Sequence, residues 1–403
     1  MRQLVLVFLI SVSIASAIGL SGWAQSDADR SICENRLGNI SAERQIDSCS
    51  KLILADRTDA FGFIHRSQAR SRRGDLNGEI EDLTDAVRLA PKNIEVLLIR
   101  SRAYLRRGDG DRAIEDCNAV IAIAPTEARA YVNRSAAYAG KNDLERALAD
   151  CDEAIRLDPS AAMAFNNRGA AYHRKRDFDR AIEAFNEAIR LDGSMALAYY
   201  GRAHVHWSRK DVRNAIADLS EAILHGLKSP QIYFERATFY VNRGELARAI
   251  EDYTVAINLD ENFFAALNDR GFALIRQGDY DRAIADLGRA IVLNPTSAAA
   301  INNRGLAYAA KSDYDQAIRD YTWALELDRS YVSALANRGN AYAHKGEYDR
   351  AIEDYNAALG RKPKWAAVYY WRSRAYRATG QTVKAILDRE KAQQLDPKTA
   401  WPP

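Results

Sequence analysis

One block of 34 residues recurs along most of this chain without any change of register. The copy at residues 298–329 reads AAAINNRGLAYAAKSDYDQAIRDYTWALELDR. The alanine of its Ala-Ile pair (once Ala-Leu) returns every 34 residues, at Ala113, Ala147, Ala181, Ala215, Ala249, Ala283, Ala317, Ala351 and Ala385. A fixed period of this length is typical of stacked helical repeats, in which each repeat packs on its neighbours. We therefore expect one elongated all-α array.

Ten full repeats fit this register, and each predicts a helix, a turn and a second helix. Gly or Asp occupies the turn, where one helix ends and the next is capped. Six repeats carry Pro at position 32, counted from the first residue of the repeat, and Pro cannot continue the second helix. The repeats span residues 60–399 and start at residues 60, 94, 128, 162, 196, 230, 264, 298, 332 and 366, followed by a short tail at 400–403.

The charge balance argues against nucleic acid as a ligand. The chain has 57 Lys and Arg against 54 Asp and Glu, and both signs alternate within every repeat. A nucleic-acid-binding protein usually carries a basic excess on one face. We therefore expect no nucleic-acid partner.

The N-terminal residues resemble an export signal. Residues 1–24 combine one cationic residue, an apolar run and small residues at Gly22 and Ala24, which predicts a signal peptide cleaved after Ala24. The alternative is a retained membrane anchor, but the apolar run Leu4–Leu20 is only marginally long enough to span a bilayer. We expect an exported protein, periplasmic or secreted, with no membrane span after cleavage.

Residues 25–59 fit the repeat poorly and predict a degenerate N-terminal capping repeat with a cysteine pair. Cys33 falls at position 8 of its first helix and Cys49 at position 24 of its second. These two positions face each other within a helical hairpin. In an oxidising compartment we expect a disulfide between them, which stabilises the fold by up to ~3 kcal/mol. The alternative is two buried free thiols.

Two columns of opposite charge run through the repeats. Position 7 is always Arg, and position 23 is nearly always Asp. The arginine column comprises Arg66, Arg100, Arg134, Arg168, Arg202, Arg236, Arg270, Arg304, Arg338 and Arg372; the aspartate column comprises Asp82, Asp116, Asp150, Asp218, Asp252, Asp286, Asp320, Asp354 and Asp388. Because the signs balance, we expect structural salt bridges, and not a track for anions. Ala184 interrupts the aspartate column and should leave one arginine without its partner.

The pattern resembles the tetratricopeptide repeat family. The match comes from small residues at position 8, Tyr at position 11 and Ala at positions 20 and 27, whereas Arg at position 7 departs from the Leu of the family. The resemblance implies a right-handed α-solenoid, a superhelix of helix-turn-helix units with a concave groove. It also implies that this groove binds peptides or partner proteins.

Asparagines recur at position 6, which the family places on the concave face. They are Asn133, Asn167, Asn303 and Asn337. An amide both donates and accepts hydrogen bonds, so a row of Asn can hold an extended peptide backbone. The alternative is that each Asn satisfies local helix contacts, and the sequence leaves both open.

The family also places positions 5, 9 and 12 on the concave face, where the central repeats carry large side chains. These are Tyr200, His204, Trp207, Phe234, Phe272 and Ile275. Exposed aromatic residues in a concavity are typical binding anchors. Packing between repeats is the alternative for about half of them. A second aromatic cluster comprises Trp365, Tyr369, Tyr370 and Trp371.

No sequence motif predicts catalysis, a metal site or a cofactor. His204 and His206 are two residues apart on a predicted helix and point in nearly opposite directions. Position 5 carries no Lys, which excludes the carboxylate clamp of the co-chaperone members of the family. Cys117 and Cys151, both at position 24, are expected to be core residues.

The sequence thus predicts a non-enzymatic scaffold whose groove binds a peptide or partner protein in the cell envelope. The alternative is an envelope glycan-binding protein, since Tyr and Trp also stack on sugars.

Thiol labelling of the native exported protein tests the cysteine pair. We expect Cys33 and Cys49 to stay unlabelled in the native protein and after unfolding without reductant, and to label once the protein is both unfolded and reduced. Peptide mass mapping identifies which cysteines react. Two reactive equivalents from Cys33 and Cys49 in the native protein would contradict the pairing.

Overall fold

The computed structural model describes residues 27–36, 38–399 and 401. It confirms the all-α array of helix-turn-helix repeats predicted from the sequence. The expected signal peptide lies outside the described residues. Among the described helices, none combines the length and the apolar composition needed to cross a membrane.

The described residues form helices joined by short turns. The first, α1, covers residues 27–34. The others are α2 (Ala42–Ala55), α3 (Ala60–Arg72), α4 (Leu76–Leu89), α5 (Ile94–Arg107), α6 (Gly110–Ile123), α7 (Ala128–Gly140), α8 (Leu144–Leu157), α9 (Ala162–Arg174), α10 (Phe178–Leu191), α11 (Ala196–Ser208), α12 (Val212–Leu224), α13 (Pro230–Asn242), α14 (Leu246–Leu259), α15 (Phe264–Gln277), α16 (Tyr280–Leu293), α17 (Ala298–Ala310), α18 (Tyr314–Leu327), α19 (Val332–His344), α20 (Tyr348–Arg361), α21 (Ala366–Ala378) and α22 (Thr382–Leu395). From α3 onward, each odd-numbered helix begins where the 34-residue register starts a repeat.

The chain divides into two compact units, an N-terminal unit ending at Val205 and a C-terminal unit starting at His206. Within each unit, the two helices of a repeat pack together, and the second helix packs on the first helix of the next repeat. First helices of successive repeats also touch, as α5 touches α7 and α17 touches α19. Within neither unit do successive second helices make a comparable contact in the described residues. The first helices therefore form the inner face of each unit, which we call the first-helix face.

Each turn depends on one residue in a left-handed backbone conformation. Position 15 has a positive φ in all ten repeats, at Gly74, Gly108, Asn142, Arg176, Lys210, Gly244, Gly278, Ser312, Gly346 and Gly380. Glycine reaches this conformation without strain, and six of the ten residues are glycine. The next residue is usually an Asp that caps the second helix, as Asp279 accepts a hydrogen bond from the backbone N–H of Arg282. This turn keeps both helices of a repeat antiparallel and close.

Small residues at position 8 make room for the ring or branched chain at position 24. A Cβ added to Gly305 would lie 2.7 Å from the ring of Tyr321, and one added to Gly339 would lie 2.7 Å from the ring of Tyr355. Real Cβ atoms essentially never come this close, so a larger residue at either position would force the ring to shift. The two helices therefore approach closely and bury the ring completely, since Tyr321 is 1% exposed.

The arginine and aspartate columns pair within each repeat, as predicted. In the repeat starting at 298, Arg304 donates from Nη2 to Asp320 Oδ1 at 2.7 Å and from Nε to Asp320 Oδ2 at 2.8 Å. The hydrogen bond to Asp320 raises the pKa of Arg304, so the guanidinium stays charged. The same pairing is confirmed for Arg66–Asp82, Arg100–Asp116, Arg134–Asp150, Arg236–Asp252, Arg270–Asp286, Arg338–Asp354 and Arg372–Asp388.

The same guanidinium also reaches the preceding repeat. Nη1 of Arg270 donates to Thr254 Oγ1 at 2.9 Å, and Nη1 of Arg236 donates to Ser220 Oγ at 3.0 Å. Each acceptor lies at position 25 of the preceding repeat, within its second helix. Asn118 and Asn356 accept a hydrogen bond at this position in the same way. One arginine therefore joins its own first helix to two successive second helices.

Arg168 is the expected exception. Ala184 stands where the other repeats have Asp, and Nε of Arg168 is buried without a hydrogen-bond partner in the described residues. Its Nη1 contacts Asp152 of the preceding repeat at 3.4 Å. The sequence prediction that one arginine lacks its partner is confirmed.

The four cysteines fall into two kinds. Cys33 and Cys49 are fully buried and joined by a disulfide that connects α1 to α2, with Cα atoms 4.8 Å apart. Cys117 and Cys151 are buried free thiols. Burial raises the pKa of Cys117 to about 12 and that of Cys151 to about 11, so both remain protonated core side chains.

The arginine pairing predicts a large difference between two acidic residues of α18. Asp320→Ala leaves the largely buried guanidinium of Arg304 without its carboxylate and should lower the free energy of unfolding by about 2 kcal/mol. The matched control is Asp315→Ala, which removes an exposed carboxylate that pairs with Lys345 at the surface. We expect the control to resemble the wild type in urea denaturation. Equal effects of the two substitutions would contradict the structural role of the column.

The repeat in which Ala184 replaces the Asp offers the opposite test, because a carboxylate can be added there. Ala184→Asp supplies the missing carboxylate at the backbone position that serves Arg in the other repeats. It should raise the free energy of unfolding by about 1 kcal/mol, because it satisfies a buried donor. In the background of Arg168→Ala, the same substitution should lower stability. A loss of stability in the wild-type background would show that Arg168 does not need this partner.

Candidate functional site

The predicted asparagines of the N-terminal unit face the preceding repeat. Nδ2 of Asn133 donates to Ser101 Oγ at 2.8 Å, and Nδ2 of Asn167 donates to Ser135 Oγ at 3.0 Å and to the backbone oxygen of Val132 at 3.1 Å. Both amide nitrogens therefore join successive first helices. Asn133 is buried and Asn167 is half-buried.

In the C-terminal unit the asparagines at positions 5 and 6 form a continuous network. Nδ2 of Asn337 donates to Asn302 Oδ1 at 3.0 Å, and Nδ2 of Asn303 donates to Asn268 Oδ1 at 3.1 Å. Nδ2 of Asn302 in turn donates to Asn303 Oδ1 at 3.5 Å. The network crosses α15, α17 and α19, so its first role is to align first helices.

Two other residues at position 6 explain where the asparagine column stops. A Cβ at Gly201 would overlap the ring of Phe185, so no longer side chain fits there. Asp269 accepts a hydrogen bond from Nδ2 of Asn268 at 2.9 Å, and burial raises the pKa of its carboxyl group. Local packing and hydrogen bonding therefore contribute to where the column stops.

The predicted aromatic anchors divide between the two units. In the N-terminal unit, the half-buried rings of Tyr200 and His204 meet edge to face with centroids 4.6 Å apart. In the C-terminal unit, Trp207 stacks on Phe239 at 4.0 Å. Phe234 packs against Tyr253 and Phe263, with centroids 5.7 Å and 5.2 Å away.

Phe272 and Ile275 differ in their surroundings. Ile275 is half-buried against the core of the C-terminal unit, whereas Phe272 is 40% exposed. Trp207, Phe234 and Ile275 therefore use much of their surface in packing between repeats. Phe272 keeps the most exposed apolar surface of the predicted anchors in this unit.

A cleft of the N-terminal unit lies on the first-helix face. Its volume is about 730 Å³, within the range of pockets that hold small ligands. Its lining includes the predicted Asn133 and Asn167 together with apolar side chains that the sequence analysis did not single out. These are Ile99, Leu105, Val132, Met163 and Leu197. We call this the N-terminal cleft.

Met163 and Leu197 are the most open apolar residues of the N-terminal cleft. They are 39% and 48% exposed and both occupy position 2 of their repeats. Apolar residues at position 2 in two successive repeats were the signal that could have identified them. Charged residues hold this position in the two preceding repeats, as Glu95 and Arg129.

One end of the N-terminal cleft is polar. Glu79 stands at position 20, where every other repeat has Ala, and it is 3% exposed. Its Oε1 accepts a hydrogen bond from Nη2 of Arg106, whereas Oε2 is buried without a partner in the described residues. Arg102 lines the same end and is exposed. The cleft therefore combines an apolar floor with amide and charged groups at its edge.

A second cleft of about 530 Å³ lies on the first-helix face of the C-terminal unit. Helices α19, α20 and α21 line it, with Tyr348, Tyr355 and Trp371 among the lining residues. Tyr355 donates from its hydroxyl to Asn340 Oδ1 at 2.7 Å, and burial raises its pKa. We call this the C-terminal cleft.

The described residues contain no group of three or more His, Cys, Asp or Glu side chains arranged to hold a metal ion. The lining residues of both clefts offer hydrogen bonding, apolar contact and charge pairing.

Comparison with protein-family models identifies the repeats. A model described as tetratricopeptide repeat matches residues 68–128, 132–196, 200–262, 302–364 and 348–398. A second, described as TPR repeat, matches residues 273–312. Comparison with curated protein sequences finds no match.

Several solved structures are similar to parts or most of the chain. A tetratricopeptide repeat protein from Parabacteroides merdae is 20% identical, with a TM-score of 0.50, and the match covers 58% of this chain and 93% of that protein. YrrB, reported as a TPR protein with an unusual peptide-binding site, is 24% identical with a TM-score of 0.44, covering 46% and 95%. The Cut9–Hcn1 complex gives 15% identity and a TM-score of 0.46, covering 93% and 94%.

At these identities the solved structures bear on the fold alone, whereas the family models match well over half of the sequence. Together with the 34-residue helix pairs, these matches show that the chain belongs to the tetratricopeptide repeat family.

Proposed function

We propose that this protein is a non-enzymatic scaffold that binds a peptide segment of a partner protein in the N-terminal cleft. The observation that carries the proposal is the composition of this cleft, in which half-exposed apolar side chains lie beside amide groups. Met163 and Leu197 offer apolar surface, and Asn133 and Asn167 lie beside them.

The apolar floor suits the side chains of a bound segment. Burying an exposed Met or Leu side chain contributes about 1.5–3 kcal/mol, so a few such contacts give a usable affinity. Oδ1 of Asn167 accepts a long hydrogen bond from Nδ2 of Asn166, at 3.4 Å, and can accept another from a ligand while its amide nitrogen holds the neighbouring helix. A preformed inner face limits the ordering cost of binding.

The proposal includes export to the cell envelope. The N-terminal sequence supports it through its signal-like composition. The disulfide between Cys33 and Cys49 supports it as well, because disulfides persist in oxidising compartments and are rare in the cytosol.

A peptide-binding experiment tests the cleft. Peptides are selected from a random phage-displayed library on the wild-type protein and are then measured by fluorescence polarisation. Met163→Glu combined with Leu197→Glu places two charges in the apolar floor, and we expect the affinity to fall about tenfold or more. Soluble envelope glycan fragments should not displace the peptides.

The matched control is Leu54→Glu combined with Leu224→Glu. These leucines are 71% and 73% exposed and lie outside the cleft. The control should bind within about twofold of the wild type, and circular dichroism should show both double variants folded. Failure to select any peptide, or equal losses in the two double variants, would contradict the proposal. Displacement by glycan fragments would favour a glycan ligand instead.

A further inference from the structure

The C-terminal cleft differs from the N-terminal cleft in its charge. Arg374 and Arg377 line one wall, and His344 lines another. No acidic side chain is among its lining residues. The cleft therefore presents positive charge beside aromatic rings.

The two arginines differ from those of the arginine column. The arginines at position 7 that pair with Asp are largely buried. Arg372, for example, pairs with Asp388 at 2.7 Å. Arg374 and Arg377 are exposed, and neither guanidinium has a hydrogen-bond or ion-pair partner in the described part of the chain. Their charge is available to a ligand.

Their placement is particular to one repeat. Arg374 and Arg377 occupy positions 9 and 12 of the repeat that starts at 366, and no other repeat has basic residues at both positions. Side chains three residues apart on a helix lie on the same face, with Cβ atoms about 5–6 Å apart. The pair thus forms a short cationic edge along α21.

Aromatic side chains lie next to this edge. Trp371 is half-buried, with its ring 6.5 Å from that of Tyr355 and 6.3 Å from that of Trp365. Across the cleft, His344 stacks on Tyr314 at 4.9 Å. An apolar or aromatic side chain of a ligand can therefore pack on Trp371 while anionic groups contact the arginines.

The geometry points to a subsite for an acidic, extended segment of a partner protein, held by Arg374 and Arg377 through side-chain carboxylates. In an extended chain, alternate residues lie on one face about 6.6–6.8 Å apart. The long side chains of the two arginines, whose Cβ atoms are about 5–6 Å apart, can spread to reach both. A guanidinium binds a carboxylate through two parallel hydrogen bonds. A third residue on the same face of the segment then reaches Trp371.

Side-chain carboxylates fit better than a terminal carboxylate or a nucleic acid. Position 5 carries no Lys to complete a clamp around a chain terminus, and the chain as a whole has a net charge of only +3. The subsite rests on the proposed function in that its occupant is a protein segment. It is separate from the N-terminal cleft, so each can fail without the other.

A defined peptide tests the subsite. The probe is the fluorophore-labelled sequence Glu-Ala-Glu-Ala-Phe-Ala, acetylated and amidated so that its backbone ends carry no charge. We expect the full-length exported protein to bind it, to bind the free-carboxylate form equally well, and to bind less tightly as the NaCl concentration rises. Replacing both Glu by Gln in the peptide should weaken binding about tenfold or more.

Variants locate the contact. Arg374→Gln combined with Arg377→Gln should abolish the preference for Glu over Gln. The control, Arg276→Gln combined with Arg329→Gln, removes the same charge from two exposed arginines outside the cleft and should keep the preference. The Met163→Glu and Leu197→Glu variant should also keep it, which separates this subsite from the N-terminal cleft.

Three results would overturn the inference. They are no binding of the acidic peptide by the wild type, unchanged selectivity in the Arg374 and Arg377 double variant, and binding that requires the free terminal carboxylate. Binding of an oligohexuronate without binding of the peptide would also overturn it and would assign the cleft to anionic glycans.

Discussion

A guanidinium that pairs with two successive second helices sets the geometry of this repeat array. Arg270 illustrates it, with both oxygens of Asp286 on its own second helix and the hydroxyl of Thr254 on the preceding one. Because the planar fork of Arg fixes the direction of each hydrogen bond, it fixes the orientation of one repeat on the next. Close packing of small residues against large rings, as Gly339 packs on Tyr355, then sets the separation of the helices. Together these contacts hold the first helices on the inner face of each unit.

The two clefts differ because some positions of the repeat vary while the packing positions stay nearly constant. Positions 7, 8 and 23 are used by the packing and change little from repeat to repeat, whereas position 24 varies among Leu, Cys, Phe and Tyr and is Arg389 in the last repeat. Positions 2, 9 and 12 lie on the first-helix face and vary freely. Met163 and Leu197 make one cleft apolar, whereas Arg374 and Arg377 make the other cationic. The same backbone thus presents different chemistry along the chain, which is how a repeat protein can hold one partner through several unlike contacts.

The repeat fold followed from the sequence because the Ala-Ile pair returns every 34 residues in register, and the exception at Ala184 followed from the break in the aspartate column. The acceptor at position 25 was missed because Ser, Thr and Asn all serve there, so no single residue type marks it. Within the site, Asn133 and Asn167 were predicted and line a cleft. Trp207 was predicted as an anchor, but Phe239 of the next repeat covers one of its faces. Such coverage depends on two side chains in different repeats, and a column of residue types does not reveal it.

Hydrogen–deuterium exchange of the full-length protein, with and without a selected peptide, tests the central claim that the ligand binds on the first-helix face. We expect slower exchange on binding in α5, α7 and α9, which line the N-terminal cleft. The second helices α6 and α8 should exchange at unchanged rates, because they lie on the other side of the unit. Protection confined to α6 and α8, with α5, α7 and α9 unaffected, would contradict the account.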